Sequence, residues 1–187
     1  MFRINQLICI TTLLCMLTVG ANAHPEQKLV LDVVVDGRSF VLNPKDETAE
    51  APARGDTFMI RGNIYPGGTI TPGGTMEKPG FDIDALEGAI GDWNCRGTFR
   101  LDWADILAGV TPHVMSTQHY LLDSGDWMVS DGPEGGVTVT RPILGGIGRY
   151  IGARGQVHQE TIGVNETGMD VLRLTFTVAT ALVVSAD

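Results

Sequence analysis

From Asn94 to Val178 the chain alternates apolar and polar side chains in short runs, broken by clusters of glycine, aspartate and proline. This period constrains the fold more than any other feature. Successive side chains of a strand point to opposite faces, whereas a helix needs a period near 3.6. Cys95, Gly97, Phe99, Leu101 and Trp103 share one predicted face, with Arg96, Thr98, Arg100 and Asp102 on the other. Further strands are predicted over Val114–Leu122, Trp127–Ser130, Val137–Leu144, Ala153–Ile162 and Met169–Val178. The segments between them, 123–126, 131–136, 145–148 and 165–168, are built from turn-forming residues.

The earlier half supplies two more strands. Leu29–Val35 is a β-branched run closed by an expected turn at Asp36-Gly37, and Thr57–Tyr65 places Phe58, Ile60 and Ile64 opposite Met59, Arg61, Asn63 and Tyr65. An acidic stretch with Pro44 and Pro52 reads as a mobile loop over Asn43–Gly55. Residues 66–75 repeat Pro-Gly-Gly-Thr and read as a long turn, since a phosphate loop needs a helix start and usually a lysine, and neither follows at Walker spacing. Phe81–Ile90 and Ala104–Ala108 offer a helical turn or two, and no long amphipathic helix is present. Twenty-four glycines in 187 residues suit a chain with this many tight turns. Eight short antiparallel strands form either a sandwich or a closed barrel, and periodicity alone does not choose. A barrel of eight is just wide enough for packed side chains or one small ligand.

The N-terminus reads as an export signal over residues 1–23: Arg3, an apolar run from Leu7 to Val19, then Ala21-Asn22-Ala23. The expected mature protein is secreted or periplasmic, with a strand and acidic loop over 24–54 and the main part of one barrel domain over 55–187. Removing 23 of 187 residues leaves 164, enough for one core, and shifts the net charge from −9 to −10. That anionic balance argues against nucleic acid as a partner. No later stretch approaches 18 consecutive apolar residues, so stable membrane insertion is not expected. Cys95 becomes the one remaining cysteine, which excludes an internal disulfide. No paired Cys-x-x-Cys, His-Glu-x-x-His, calcium loop or Gly-x-Ser-x-Gly elbow occurs, so no metal or organic cofactor is expected. One separate reading is copper held by His24 as the mature N-terminus, with His113, His119 or His158 as second ligand. Asn165-Glu166-Thr167 forms a glycosylation sequon.

The segment from Trp127 to Val157 resembles the allene oxide cyclase and dirigent proteins. Its strand leads into Gly145-Gly146-Ile147-Gly148, then Tyr150, then Ala153-Arg154-Gly155, in the order those families use. Gly55-Asp56-Thr57-Phe58 and Ile90-Gly91 fit the same order, so the resemblance spans roughly residues 55–178. It implies an eight-stranded antiparallel barrel, a homotrimer, and a cavity for a small hydrophobic or phenolic ligand. Gly145, Gly146, Gly148 and Gly155 would be its structural turn residues. The cyclases carry a glutamate on an early strand, where this chain offers Asp32 and Asp36.

Alternation and side-chain chemistry nominate Arg100, Asp102 and Tyr65 as catalytic residues. Arg61, Asn63, His119, Tyr120, Arg141 and Arg173 are nominated as ligand-binding residues, and the resemblance adds Cys95, near a cysteine that the cyclases place in the pocket. Such a cavity would hold a reactive ligand in one conformer while polar groups stabilise developing charge during cyclisation, isomerisation or coupling. The rival reading is an exported barrel that binds or supports without catalysis.

Overall fold

The structure, a computed structural model, describes residues 26–75, 78 and 80–180. Eight strands follow one another: β1 (Gln27–Asn43), β2 (Thr57–Pro66), β3 (Gly91–Phe99), β4 (Val114–Leu122), β5 (Trp127–Glu134), β6 (Thr138–Ile147), β7 (Arg154–Val164) and β8 (Asp170–Ala179). Each pairs antiparallel with its sequence neighbours, and β8 returns to β1, with Leu31 opposite Leu174 and Val33 opposite Leu172. The sheet therefore closes as a barrel, which removes both sheet edges. The expected signal peptide and His24 lie outside the described residues.

Alternation decides what fills the barrel. Leu31, Val33 and Val35 of β1, Phe58, Ile60 and Ile64 of β2, and Leu172, Leu174, Phe176 and Val178 of β8 belong to one buried cluster. Trp93, Cys95 and Phe99 of β3 join it, as do Tyr120, Met128, Ile143 and Val157. Burying a side chain such as Leu174 or Phe176 stabilises a fold by about 1.5–3 kcal/mol each. Tyr120 meets the edge of Phe176 at 4.9 Å between ring centroids, a favoured aromatic geometry. Gly97 lets the Phe58 ring lie across β3, since a Cβ there would sit 2.7 Å from Phe58 Cε1.

Several boundaries differ from the alternation reading, each for a local reason. Asp36-Gly37 is no turn: β1 runs on to Asn43 through a register shift between Asp36 and Val41. The Gly37 amide there donates to Thr167 Oγ1 at 2.9 Å, tying the bulge to the β7–β8 turn. β3 stops at Phe99, so Leu101 and Trp103 do not continue its inner face, and Trp103–Leu107 forms a short helix, α1. β5 continues through Asp131-Gly132-Pro133 to Glu134, where a turn was expected. β6 likewise includes Gly145 and Gly146, and the chain turns only at Gly148–Tyr150. Gly148 opens that turn at φ +63, with the Asp126 carboxylate pressed where a Cβ would be. Gly155 lies in β7.

Two loops are tied down by buried carboxylates. Asp56, 2% exposed, accepts from the amides of Lys45 and Ala53 at 2.8 Å each, which orders the acidic loop. Asp32, fully buried, accepts from the amides of Gly68 and Ile70 at 2.9 and 3.0 Å and holds the glycine-rich segment against the outer wall. That segment covers a second apolar cluster of Val34, Tyr65, Ile70 and Val171. Asn165 is also fully buried: its Nδ2, the atom a glycan would occupy, donates to Val35 O at 2.7 Å. The sequon is thus a structural turn, with Asn165 Oδ1 accepting from the amide and hydroxyl of Thr167.

Candidate functional site

The inward faces of β4, β5, β6 and β7 carry a polar cluster inside the otherwise apolar barrel. Arg141 is fully buried, and its Nη1 donates to Ser116 Oγ at 2.7 Å while Nη2 donates to Ser130 Oγ at 2.9 Å. Ser116 in turn donates to Glu134 Oε2 at 2.6 Å, which bridges the guanidinium to a carboxylate 3.7 Å away. Glu134 Oε1 accepts from Gln118 Nε2 at 2.9 Å and Gln159 Nε2 at 3.1 Å, and the Cys95 thiol faces Oε2 at 3.6 Å. Tyr120 donates to Gln118 Oε1 at 2.7 Å and shares a hydrogen bond with Ser130 at 2.8 Å. Nearly every lone pair of Glu134 is therefore used. The charges are compensated by each other and by neutral donors, as buried charges must be.

Above this cluster the barrel holds a cavity of about 230 Å³. Its walls are Val35, Phe40, Phe58, Ile60, Trp93, Val114, Met169 and Leu172, and its polar lining is Cys95, His113, Glu134, Gln159 and Asp170. Trp93 is 2% exposed, yet its Nε1 has no hydrogen-bond partner, and neither has His113 Nδ1. Buried polar atoms are usually paired, so these two stand out as unsatisfied in residues that line the cavity. A larger depression of about 670 Å³ lies on the outer wall between β1 and β5, around Val41, Met59 and Met115. It is open to solvent and lacks the interior's convergent polar network, so the interior is the better candidate site.

The electrostatics of the cavity are negative. Asp170, the first residue of β8, is exposed at the mouth and forms no ion pair among the described residues. The surrounding protein and then the Glu134 charge push its carboxyl up to about 6, with His113 acting in the opposite direction. Burial, followed by the Glu134 charge, pushes the Cys95 thiol well up, so it is a poor nucleophile. Burial also raises the Tyr120 hydroxyl, against the lowering influence of Arg141.

Asp170 gives a sign-definite pH effect. The unfolded carboxyl titrates near 3.8 and the folded one near 6, so the folded state binds the proton more tightly. Its stabilising contribution is present at acid pH and is lost as pH rises through about 6. Asp170→Asn is therefore expected to melt above the wild type at pH 7.5, with the gap closing near about pH 4. Solvent contact at the mouth limits its size, so the sign is what calorimetry across pH should read. A gap of opposite sign, or one flat with pH, would contradict the placement.

Of the residues nominated from the sequence, Cys95, Tyr120 and Arg141 meet in this interior. The others lie outside it. Arg61 and Asn63 are exposed on the outward face of β2, and Tyr65 on that face is buried beneath the glycine-rich segment. Arg100 and Asp102 fall beyond the end of β3: Arg100 donates to Pro112 O at 3.1 Å, and Asp102 accepts from the Arg54 amide at 3.0 Å. Arg173 does not approach Asp102 as a partner; it makes a two-pronged pair with Asp32 at 2.8 and 3.0 Å on the outer wall. His119 packs outward against Trp127, with ring centroids 5.9 Å apart, and His158 shares a hydrogen bond with Thr140 at 3.1 Å. Among the described residues the one group of three ligand-bearing side chains within mutual reach is Asp82, Asp84 and Glu166, all exposed and none a histidine.

Glu134, Gln118, Gln159, Ser116, Ser130, Trp93 and Asp170 were not nominated, and His113 was considered only as a copper ligand, not for a cavity. The signal for most of them was present: Ser116, Gln118 and Tyr120 share one parity, and Met128, Ser130, Gly132 and Glu134 another. Reading Asp131–Gly136 as a turn cut that second series short. Asp170 and His113 stand at strand ends, where alternation carries no face assignment.

No protein-family model and no curated protein sequence matches the chain. Solved structures do. Two pterocarpan synthase dirigent proteins superpose with a TM-score of 0.59 each, at 14% and 13% identity. The first match covers 83% of this chain and 96% of that one, the second 84% and 86%. A pyocyanin demethylase matches with a TM-score of 0.51 at 16% identity, over 81% of this chain and all of that one. At such identities the likeness speaks for the fold alone, the closed eight-stranded antiparallel barrel that these dirigent structures share with this chain.

Proposed function

We propose that this protein is an exported barrel that takes one small, largely apolar or phenolic molecule into its interior cavity and steers its cyclisation, isomerisation or coupling. The observation that carries this reading is the Arg141–Ser116–Glu134 network beneath the cavity. A buried charge pair is seldom more stabilising than apolar residues of similar volume, so its position facing an open space argues for use rather than for support. In this reading Glu134, held by Ser116, Gln118 and Gln159, presents fixed negative charge to the guest. Asp170 at the mouth, with its carboxyl near 6, exchanges a proton with a ligand hydroxyl or an acidic C–H. Tyr120 and Arg141 hold Gln118, Ser116 and Ser130 in place rather than touch the guest. The pterocarpan synthase dirigent proteins share this fold, which supports a cavity suited to phenolic skeletons.

Export rests on the N-terminal signal pattern, and no helix among the described residues is long and apolar enough to cross a membrane. A homotrimer, expected from the family resemblance, is supported by the exposed apolar patch of Val41, Met59 and Met115 on the outer wall, and sedimentation would decide it. The deciding experiment is mass spectrometry of small molecules extracted from protein purified after export. A specific apolar or phenolic guest in stoichiometric amount is the expected result. Failure to co-purify any, together with no binding from a panel of lipids and phenols, would overturn the ligand reading. Binding without turnover would leave a carrier rather than a catalyst.

A further inference from the structure

The cavity has two ends of different chemistry. At the inner wall, Trp93 Nε1 is a buried hydrogen-bond donor with no partner, beside the Phe40 and Phe58 rings, which stack at 5.9 Å. At the mouth, Asp170 offers a carboxylate that no cation pairs among the described residues. Glu134 adds a second carboxylate to the lining, and its counter-ion Arg141 is buried behind it, engaged with Ser116 and Ser130. His113 is the one basic side chain in the lining. An anionic guest would meet two carboxylates with no free cation to answer it, whereas a cationic guest would relieve the repulsion between them. Aromatic walls also favour a cation over an anion.

We propose that the cavity selects a small aromatic amine, its ammonium group at Asp170 and a ring oxygen accepting from Trp93 Nε1, and discriminates against carboxylic acids of the same skeleton. The inference rests on the interior-cavity reading above and narrows it from apolar or phenolic molecules to those with a cationic end. The volume of about 230 Å³ suits one ring with a short side chain. Opposite charge at a partly exposed carboxylate attracts, and like charge repels, so the difference between amine and acid combines both effects.

The test is a matched set of three probes: tyramine, the neutral alcohol tyrosol, and 3-(4-hydroxyphenyl)propanoate, titrated into the full mature protein at pH 7.5 by calorimetry and ligand-observed NMR. Tyramine is expected to bind about tenfold or more tighter than the acid, with tyrosol between them. Asp170→Asn is expected to bring the three affinities within about threefold of one another. Trp93→Phe is expected to weaken all three by a common factor, because the phenolic oxygen is shared. Equal binding of the three probes to the wild type, or a preference that survives Asp170→Asn, overturns the charge selection while leaving the cavity reading in place. If none of the three binds, the amine selection falls, while the cavity reading is decided separately by the extraction experiment and the lipid and phenol panel. Melting curves of each variant confirm that a loss of binding is not a loss of fold.

Discussion

Glu134→Gln is expected to destabilise the barrel by about 3–5 kcal/mol, read from urea denaturation. The substitution keeps the shape and most hydrogen bonds but removes the charge opposite Arg141, whose side chain is wholly inaccessible to water. The guanidinium would then be a buried cation whose remaining contacts are the hydroxyls of Ser116, Ser130 and Tyr120. Its Nε already lacks a partner, so the site has little reserve. The double variant Glu134→Gln with Arg141→Met is expected to recover much of the loss, because no buried charge is left uncompensated. A single-variant loss below about 1 kcal/mol would mean that water reaches the network and that the charges are not buried as described. If the cavity works as proposed, the same double variant abolishes ligand conversion while restoring stability, which separates the proposed role of the network in function from its role in the fold.

The second large effect is on the opposite side of the wall. Asp32→Ala is expected to cost about 3 kcal/mol and to release the glycine-rich segment after β2. Asp32 is fully buried and accepts from Gly68 N, Ile70 N and both prongs of Arg173. Its loss strands an arginine that is about a quarter exposed, which softens the penalty relative to Arg141. Because Ile70 helps to cover Tyr65, Val34 and Val171, detachment would also open the second apolar cluster. Limited proteolysis between Pro66 and Gly80 should then begin well below the global unfolding temperature. Resistance of this segment equal to the wild type would show that apolar contacts, not the carboxylate, hold it. Asp32 is thereby committed to structure, which is why the early-strand acid suggested by the cyclase resemblance is not available to the cavity.

Both predictions show how far alternation alone carries. The series Phe58, Ile60, Ile64 and the apolar runs of β1 and β8 identified the inward faces, because a closed barrel leaves apolar side chains one sheltered side. Arg61 and Asn63 were nominated although they stand on the opposite parity from those residues, and the structure leaves them at the outer surface. Tyr65 shares that outward parity, yet it is buried, since the glycine-rich segment that follows β2 folds back over the wall. Arg100 and Asp102 followed the parity of β3 past the point where the strand gives way to α1.

By itself, the sequence determined the eight strands and most of their faces, since each depends on neighbours one or two residues away, but it placed turns at Asp36-Gly37, Asp131-Gly132 and Gly145-Gly146 where the strands run on. The interior placement of Arg141 and Tyr120 was legible in the same way. Only the closed tertiary structure decided what those two meet. Ser116, Ser130, Glu134 and Gln159 come from three different strands, and barrel closure with its strand register brings them within hydrogen-bond distance. It also decided that Asp170 and Trp93 face one cavity while Asp32 and Arg173 face the outer wall, because partners so far apart in sequence leave no periodic signal.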